Sequence, residues 1–287
     1  MAENTSFRAA LVQLCSGREI APNMAIAGDL IRAAAGQGAR YIQTPENTAL
    51  VELSTERLFD RIRQEADTAI LADFAALARD LGVWLHIGSV AVRVADKAAN
   101  RSYVFAPSGQ IAARYDKIHM FDVDLPSGES YRESKNYRPG SSAVKLRLPW
   151  GTLGLTTCYD LRFPEQYKAL ALAGADFLAV PSAFTRQTGQ AHWQVLLRAR
   201  AIETGCYVLA AAQGGDHEVG RATYGHSMIV SPWGEVLAEG GEEPGLVFAE
   251  IDPAQVAAAR TRIPALKHVR TFDIVDSDEA GGCSSRE

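Results

Sequence analysis

Three reactive side chains stand where apolar runs break off: Glu46 after ARYIQTP, Lys117 after QIAARYD and Cys158 after GTLGLTT. A thiol is a strong nucleophile only as the thiolate, and its free pKa is ~8.5. It needs a base to take its proton, which a carboxylate can do. A nearby ammonium can stabilise negative charge on the sulfur or on an oxyanion. Together the three types could run acyl transfer through a thioester. On spacing alone the commoner readings are plain ones: a solvated loop Glu, a surface Lys and a core Cys. The other cysteines narrow the choice. Cys15 ends a strand-like run and Cys206 opens one, so both read as small buried residues. Cys283 lies in the polar segment DEAGGCSSRE. With no CxxC spacing and no nearby His cluster, neither a zinc site nor a disulfide framework is expected.

Alternating strand and helix patterns must position these side chains. FRAALVQLC (7–15) reads as a strand, 22–36 as a helix with apolar residues at helical spacing, and 39–45 as a second strand that delivers Glu46. A helix over 71–82, a strand over 83–94 and two strands around a Pro-Ser-Gly turn (102–117) lead to Lys117. A hairpin over 143–158 runs into Cys158, and Pro164 opens a helix over 164–175. Strand 176–184, helix 192–205, strand 206–213, a hairpin over 226–239 and strand 245–251 follow, then a helix capped by Asp252. This is an α/β pattern, with antiparallel hairpins mixed into parallel crossovers. The carboxyl ends of strands are where such sheets build sites. No linker divides the chain, so one domain over 1–270 is expected. The tail 271–287 reads as partly disordered or committed to a partner surface.

The 287 residues are 47% hydrophobic and 22% charged, with a formal net charge of -5 and no long basic cluster. Nucleic acid and anionic membrane are therefore not expected as partners. No apolar run approaches the ~20 residues of a membrane span, and the N-terminus lacks a signal-peptide pattern. A cytoplasmic location is the expectation.

The three segments in this order resemble the Glu, Lys and Cys signatures of the nitrilase superfamily, the carbon–nitrogen hydrolases. KIHMFDVDLP (117–126), YRES (131–134), CYDLRFPE (158–165), LLRARAIE (196–203) and YGHSMIVSPWG (224–234) are similar to its Nit branch of amidases. Glu-Asn-Thr at 46–48 departs from the pattern, where a less polar residue is expected after the Glu. The resemblance implies a four-layer α-β-β-α sandwich, a homodimer or larger homo-oligomer, and chemistry that needs neither metal nor organic cofactor.

The resemblance also assigns roles. Cys158 is the nucleophile, expected as an activated, accessible thiolate. Glu46 is the general base, and Lys117 stabilises the thiolate and the oxyanion. The Tyr159 backbone N–H is the second oxyanion donor. Glu133 in YRES is a supporting carboxylate, preferred over nearby Glu129. Asp160, Arg162 and Glu165 are expected to hold the nucleophile's turn through an internal ion pair, and His119 and His192 to be structural. Arg186, the cation of the PSAFTRQTG loop, is the candidate for gripping a substrate carboxylate; a solvated loop Arg is the plain alternative. The implied activity is amidase action on a small carboxylated amide, with deaminated glutathione preferred. An ω-amidase acting on α-ketoglutaramate or α-ketosuccinamate is the runner-up, ahead of a nitrilase or an N-carbamoyl amino acid hydrolase. A silent binding protein on this fold fits least, because it has no chemical reason to keep all three reactive residues.

Overall fold

Residues 6–126 and 128–275 are described by a computed structural model. Cys283 and most of the expected tail lie outside the described residues. Strand β1 (Phe7–Gln13) is central to one sheet and hydrophobic on both faces. Its side chains alternate. Ala10 and Val12 face a helical layer, while Ala9 and Leu11 face a second sheet. Helix α1 (Ile20–Gly36) then crosses to β2 (Tyr41–Gln43). Helices α2 (Thr55–Arg61) and α3 (Ala69–Leu81) cross to β3 (Trp84–Val94). Strands β4 (Lys97–Phe105) and β5 (Ile111–Asp116) complete the sheet as an antiparallel meander. The short hairpin β6 (Asp122–Asp124) and β7 (Ser130–Arg132) stands apart.

The second half repeats the plan. Hairpin β8 (Val144–Leu148) and β9 (Gly151–Leu155) leads through α4 (Pro164–Leu172) to β10 (Phe177–Ala179). Helix α5 (Arg186–Thr204) returns to β11 (Tyr207–Ala210), and a small hairpin follows, β12 (Gly214–Asp216) with β13 (Ala222–Tyr224). Strands β14 (Met228–Val230) and β15 (Val236–Glu239) finish the second sheet. Strand β16 (Gly245–Ile251) goes back to pair antiparallel with β1, and α6 (Ala254–Arg262) follows.

The two six-stranded sheets run β16-β1-β2-β3-β4-β5 and β15-β14-β11-β10-β9-β8. Leu153, Leu155, Phe177 and Tyr207 pack against Phe7, Leu11 and Tyr41 between the sheets. Ile31, Ala34, Phe74 and Ala78 of α1 and α3 cover one outer face. Tyr167, Leu170, Trp193 and Leu197 of α4 and α5 cover the other. This is the four-layer α-β-β-α sandwich expected from the sequence.

Two differences bear on the site. Helix α5 begins at Arg186 rather than 192, because the Thr185 side chain caps it by accepting from the Thr188 N–H. Arg186 is thus a helical residue and His192 lies inside the helix. Helix α2 and the two small hairpins have no counterpart in the periodicity, since each is too short to develop one.

Candidate active site

Glu46, Lys117 and Cys158 each follow the end of a strand, β2, β5 and β9 respectively. All three are buried: Glu46 is 3% exposed, Lys117 2% and Cys158 6%. They line one cavity of about 390 Å³ with Asn100, Glu133, Tyr137 and Arg221.

Each is held by its backbone. The turn carrying Glu46 is fixed by Thr48 Oγ1 donating to Pro45 O (2.7 Å) and by Gln213 Nε2 donating to Glu46 O (3.0 Å). Asn47 sits at φ 59, a left-handed conformation that Asn tolerates better than most residues, and its N–H donates to Ser89 Oγ. This accounts for the polar departure at 47. Gly88 stands at an irregularity in β3, where a Cβ would lie 2.3 Å from Thr44 O and 2.5 Å from Pro181 Cβ. Its missing side chain lets the Glu46 loop close on the loop behind Cys158.

Lys117 is placed by β4 and β5. Its N–H donates to Asn100 O (3.0 Å), and Arg101 forks onto Asp116 next to it. Its Nζ then lies 3.0 Å from Glu46 Oε1 and 2.8 Å from Glu133 Oε2. Asn100 Nδ2 donates to both carboxylates, at 2.8 Å to Glu46 and 3.2 Å to Glu133. Glu133 Oε2 also accepts from the Phe121 N–H at 2.7 Å.

Cys158 has φ 51, a strained conformation for a side-chain-bearing residue, as at a nucleophile elbow. It opens a 3-10 turn (Cys158–Arg162), and its N–H donates to Pro181 O at 2.9 Å. The buried Asp160 organises the turn by accepting from the Thr157 N–H, the His119 N–H and Tyr115 OH. The expected internal ion pair among Asp160, Arg162 and Glu165 is not formed: Asp160 hydrogen-bonds the His119 ring at 2.7 Å, while Arg162 lies over the rings of Tyr159 and Phe184.

The cluster's electrostatics follow from burial and charge. Burial alone would raise the Glu46 pKa, but Lys117 and the Cys158 thiol hold it below its ordinary 4.5. Burial would lower the Lys117 pKa, and Glu133 and Glu46 raise it well above its ordinary value. Burial, then the Glu46 charge, push the Cys158 thiol up, and Lys117 opposes them. The expected accessibility is corrected here: the sulfur is buried, and burial together with the Glu46 charge favours the thiol over the thiolate.

The other expected residues separate. Glu133 is in the cluster. Tyr159 lies against a small hollow with Phe121, Cys158, Phe184 and Thr188. Arg186 does not line the cavity and pairs with Asp216 (3.1 Å) and Glu242 (3.4 Å). Asn100 and Arg221 were missed. Asn100 is the one amide in β4, and its polarity among Ala98, Ala99 and Val104 was the available signal. Arg221 lies in a loop that resembles any polar loop in sequence.

This cluster in a two-sheet sandwich has a known setting. The pattern of the family described as "Carbon-nitrogen hydrolase" matches residues 8–261, and the chain belongs to that family. Its chemistry is hydrolysis of a carbon–nitrogen bond. The chain is 43% identical over 271 residues to a deaminated glutathione amidase of Synechocystis sp., covering 91% of this chain and 97% of that one. It is 40% identical over 267 residues to human deaminated glutathione amidase, covering 91% and 81%. The solved structure of the C. elegans NitFhit protein superimposes with a TM-score of 0.86 at 35% identity. That match covers 92% of this chain and 65% of the longer one. No helix among the described residues is long and apolar enough to cross a membrane.

Proposed function

We propose that this chain is a cysteine-dependent amidase for small α-keto acid amides bearing a carboxylate, with deaminated glutathione as the preferred substrate. One observation carries the mechanism: a buried lysine bridges two carboxylates on the wall of a cavity that also holds a cysteine at a strained elbow.

In this reading the thiol attacks the amide carbonyl carbon as Glu46 takes its proton. Coupling the two events suits a thiol whose pKa is raised, because no free thiolate has to accumulate. Lys117 Nζ and the Tyr159 N–H stabilise the oxyanion. The Cys158 N–H is already committed to Pro181 O, so the next N–H along the turn is the available one. Collapse breaks the C–N bond, and Glu46 returns its proton to the leaving amine. The thioester is then hydrolysed by a water that Glu46 deprotonates, giving the carboxylic acid and the free thiol. Glu133 and Asn100 hold Lys117 and Glu46 in place.

The names of the relatives at 40–43% identity support the substrate. Replacing glutathione's amine by a ketone leaves a 2-oxoglutaryl group joined through its side-chain amide to Cys-Gly. α-Ketoglutaramate has the same acyl half with ammonia as leaving group, which makes ω-amidase activity the second reading. A homodimer or larger assembly belongs to the proposal, supported by exposed Val195 and Ile202 on α5 and nearby Trp233. So does a cytoplasmic location, where a reducing environment preserves a catalytic thiol.

The test compares kcat/KM for deaminated glutathione, α-ketoglutaramate, a simple aliphatic amide and an aliphatic nitrile. Deaminated glutathione is expected to be best. α-Ketoglutaramate as best substrate would select the ω-amidase reading. The nitrile or the simple aliphatic amide as best substrate would contradict both.

A further inference from the structure

Among the described residues, Arg221 differs from Arg101, Arg132 and Arg186 in having no carboxylate within ion-pair distance. It lines the cavity with Glu46, Lys117 and Cys158. Its guanidinium lies over the Tyr131 ring, 5.3 Å from the centroid. Among the described residues its guanidinium makes one hydrogen bond, from Nη2 to the Ala183 carbonyl, and its Nε is buried without a partner. No carboxylate among those residues lies within ion-pair distance, whereas Arg186 has two and Arg101 has two. A partly desolvated guanidinium with unused N–H groups is a poor resting state unless something anionic completes it. Stacking on Tyr131 covers one face and leaves the planar fork free to take a carboxylate edge-on.

Its position sets a length. The Ala183 carbonyl takes Arg221, and two residues earlier the Pro181 carbonyl takes the Cys158 N–H. A short stretch of backbone thus separates the two, and both side chains line the same cavity, which puts the guanidinium on the order of 10 Å from Sγ by ordinary backbone and hydrogen-bond dimensions. A five-carbon diacid places its two carboxyl carbons ~5 Å apart, leaving about one contact distance at each end.

We propose that Arg221 is the substrate-binding residue that grips the carboxylate at the far end of the acyl half, so that the pocket selects ω-amides of short dicarboxylic acids. This rests on the amidase reading above and assigns to Arg221 the part that the sequence had given to Arg186. The carboxylate it reads is common to deaminated glutathione and α-ketoglutaramate, so Arg221 serves both and does not discriminate between their leaving groups.

The test is kcat/KM of wild type, Arg221→Met and Arg221→Lys on α-ketoglutaramate and on pentanamide, which has the same chain length without the carboxylate. Arg221→Met should lose about 10–150-fold on α-ketoglutaramate, the value of one charge-assisted pair. On pentanamide it should fall by much less, so that the preference for α-ketoglutaramate over pentanamide drops by about that factor, with circular dichroism showing that the fold is intact. Arg221→Lys should retain part of the preference, because it keeps the charge and loses the fork. An equal fall on both substrates, or no fall on either, would overturn the assignment and leave the amidase reading standing. A wild-type enzyme that prefers pentanamide would overturn both.

Discussion

The backbone N–H of Cys158 donates to the carbonyl of Pro181 at 2.9 Å, and this bond braces Cys158 at φ 51. The loop after β10 thereby pins the residue that follows β9. In the proposed mechanism this bond spends the Cys158 N–H and leaves that of Tyr159 as the next donor along the turn.

Glu46→Gln should abolish amide turnover, by on the order of 10²–10⁴-fold if Glu46 is the general base. It should make the thiol easier to ionise at the same time. After burial, the Glu46 charge is what raises the Cys158 pKa, while Lys117 lowers it. Removing the negative charge leaves Lys117 less opposed, so the thiolate forms at lower pH. The pH dependence of iodoacetamide labelling at Cys158, read by peptide mapping, should shift downward in the variant. An unchanged or upward shift would mean that Glu46 does not act on the sulfur.

Lys117→Met places Glu46 and Glu133 in a buried site without their shared cation. Rate should fall by on the order of 10²–10³ or more, as for loss of an oxyanion donor. Stability should fall by about 3–5 kcal/mol, as when one partner of a buried ion pair is removed. Glu133→Gln should be milder than Glu46→Gln, because it keeps an oxygen for the Phe121 N–H. Steady-state kinetics and urea titration check the set, and greater damage at Glu133 would reverse the two roles.

Gly88→Ala should damage the site from outside it. The new Cβ would meet Thr44 O at 2.3 Å and Pro181 Cβ at 2.5 Å, so one of the two loops must move. These loops carry Glu46 and brace Cys158. The expected outcome is a lowered Tm together with a kcat at least about 10-fold down, given how strongly rate depends on placement. A variant with lowered Tm and full kcat would show that the close approach serves folding alone.

His86 predicts a pH dependence of stability. It is buried between Tyr41 OH and Ser102 Oγ, and burial pulls its pKa from 6.5 down to about 3. The unfolded chain takes up this proton below pH 6.5, and the folded chain does so only near pH 3. Stability from this group is therefore complete above pH 6.5 and is lost as pH falls through the window down to about 3. Between pH 6.5 and 4.5 the wild-type urea midpoint should fall more steeply than that of His86→Gln. Equal slopes would assign the acid sensitivity to other groups.

Most of the layer plan was legible because long strands and helices carry their period openly. β1, α1, α3 and β3 fall where the pattern placed them, within two residues or so. The start of α5 was not, because its first turn, RQTGQ, is polar and holds a glycine, so capping by Thr185 decides it. At the site, residues carried by signature segments were readable, and those defined by partnership were not. Arg186 and Arg221 look alike in sequence. They part only when Asp216 and Glu242 are seen beside one and the Ala183 carbonyl beside the other. Asn100 likewise acquires meaning only when β4 brings it between two carboxylates.

The most direct measurement is release of 2-oxoglutarate from deaminated glutathione by wild type and by Cys158→Ala, with circular dichroism confirming that both are folded. Cys158 and Ala meet the same strain at φ 51, so the variant should keep its fold. The account predicts turnover by wild type and none by the variant. Release by a folded Cys158→Ala protein at the wild-type rate would contradict it.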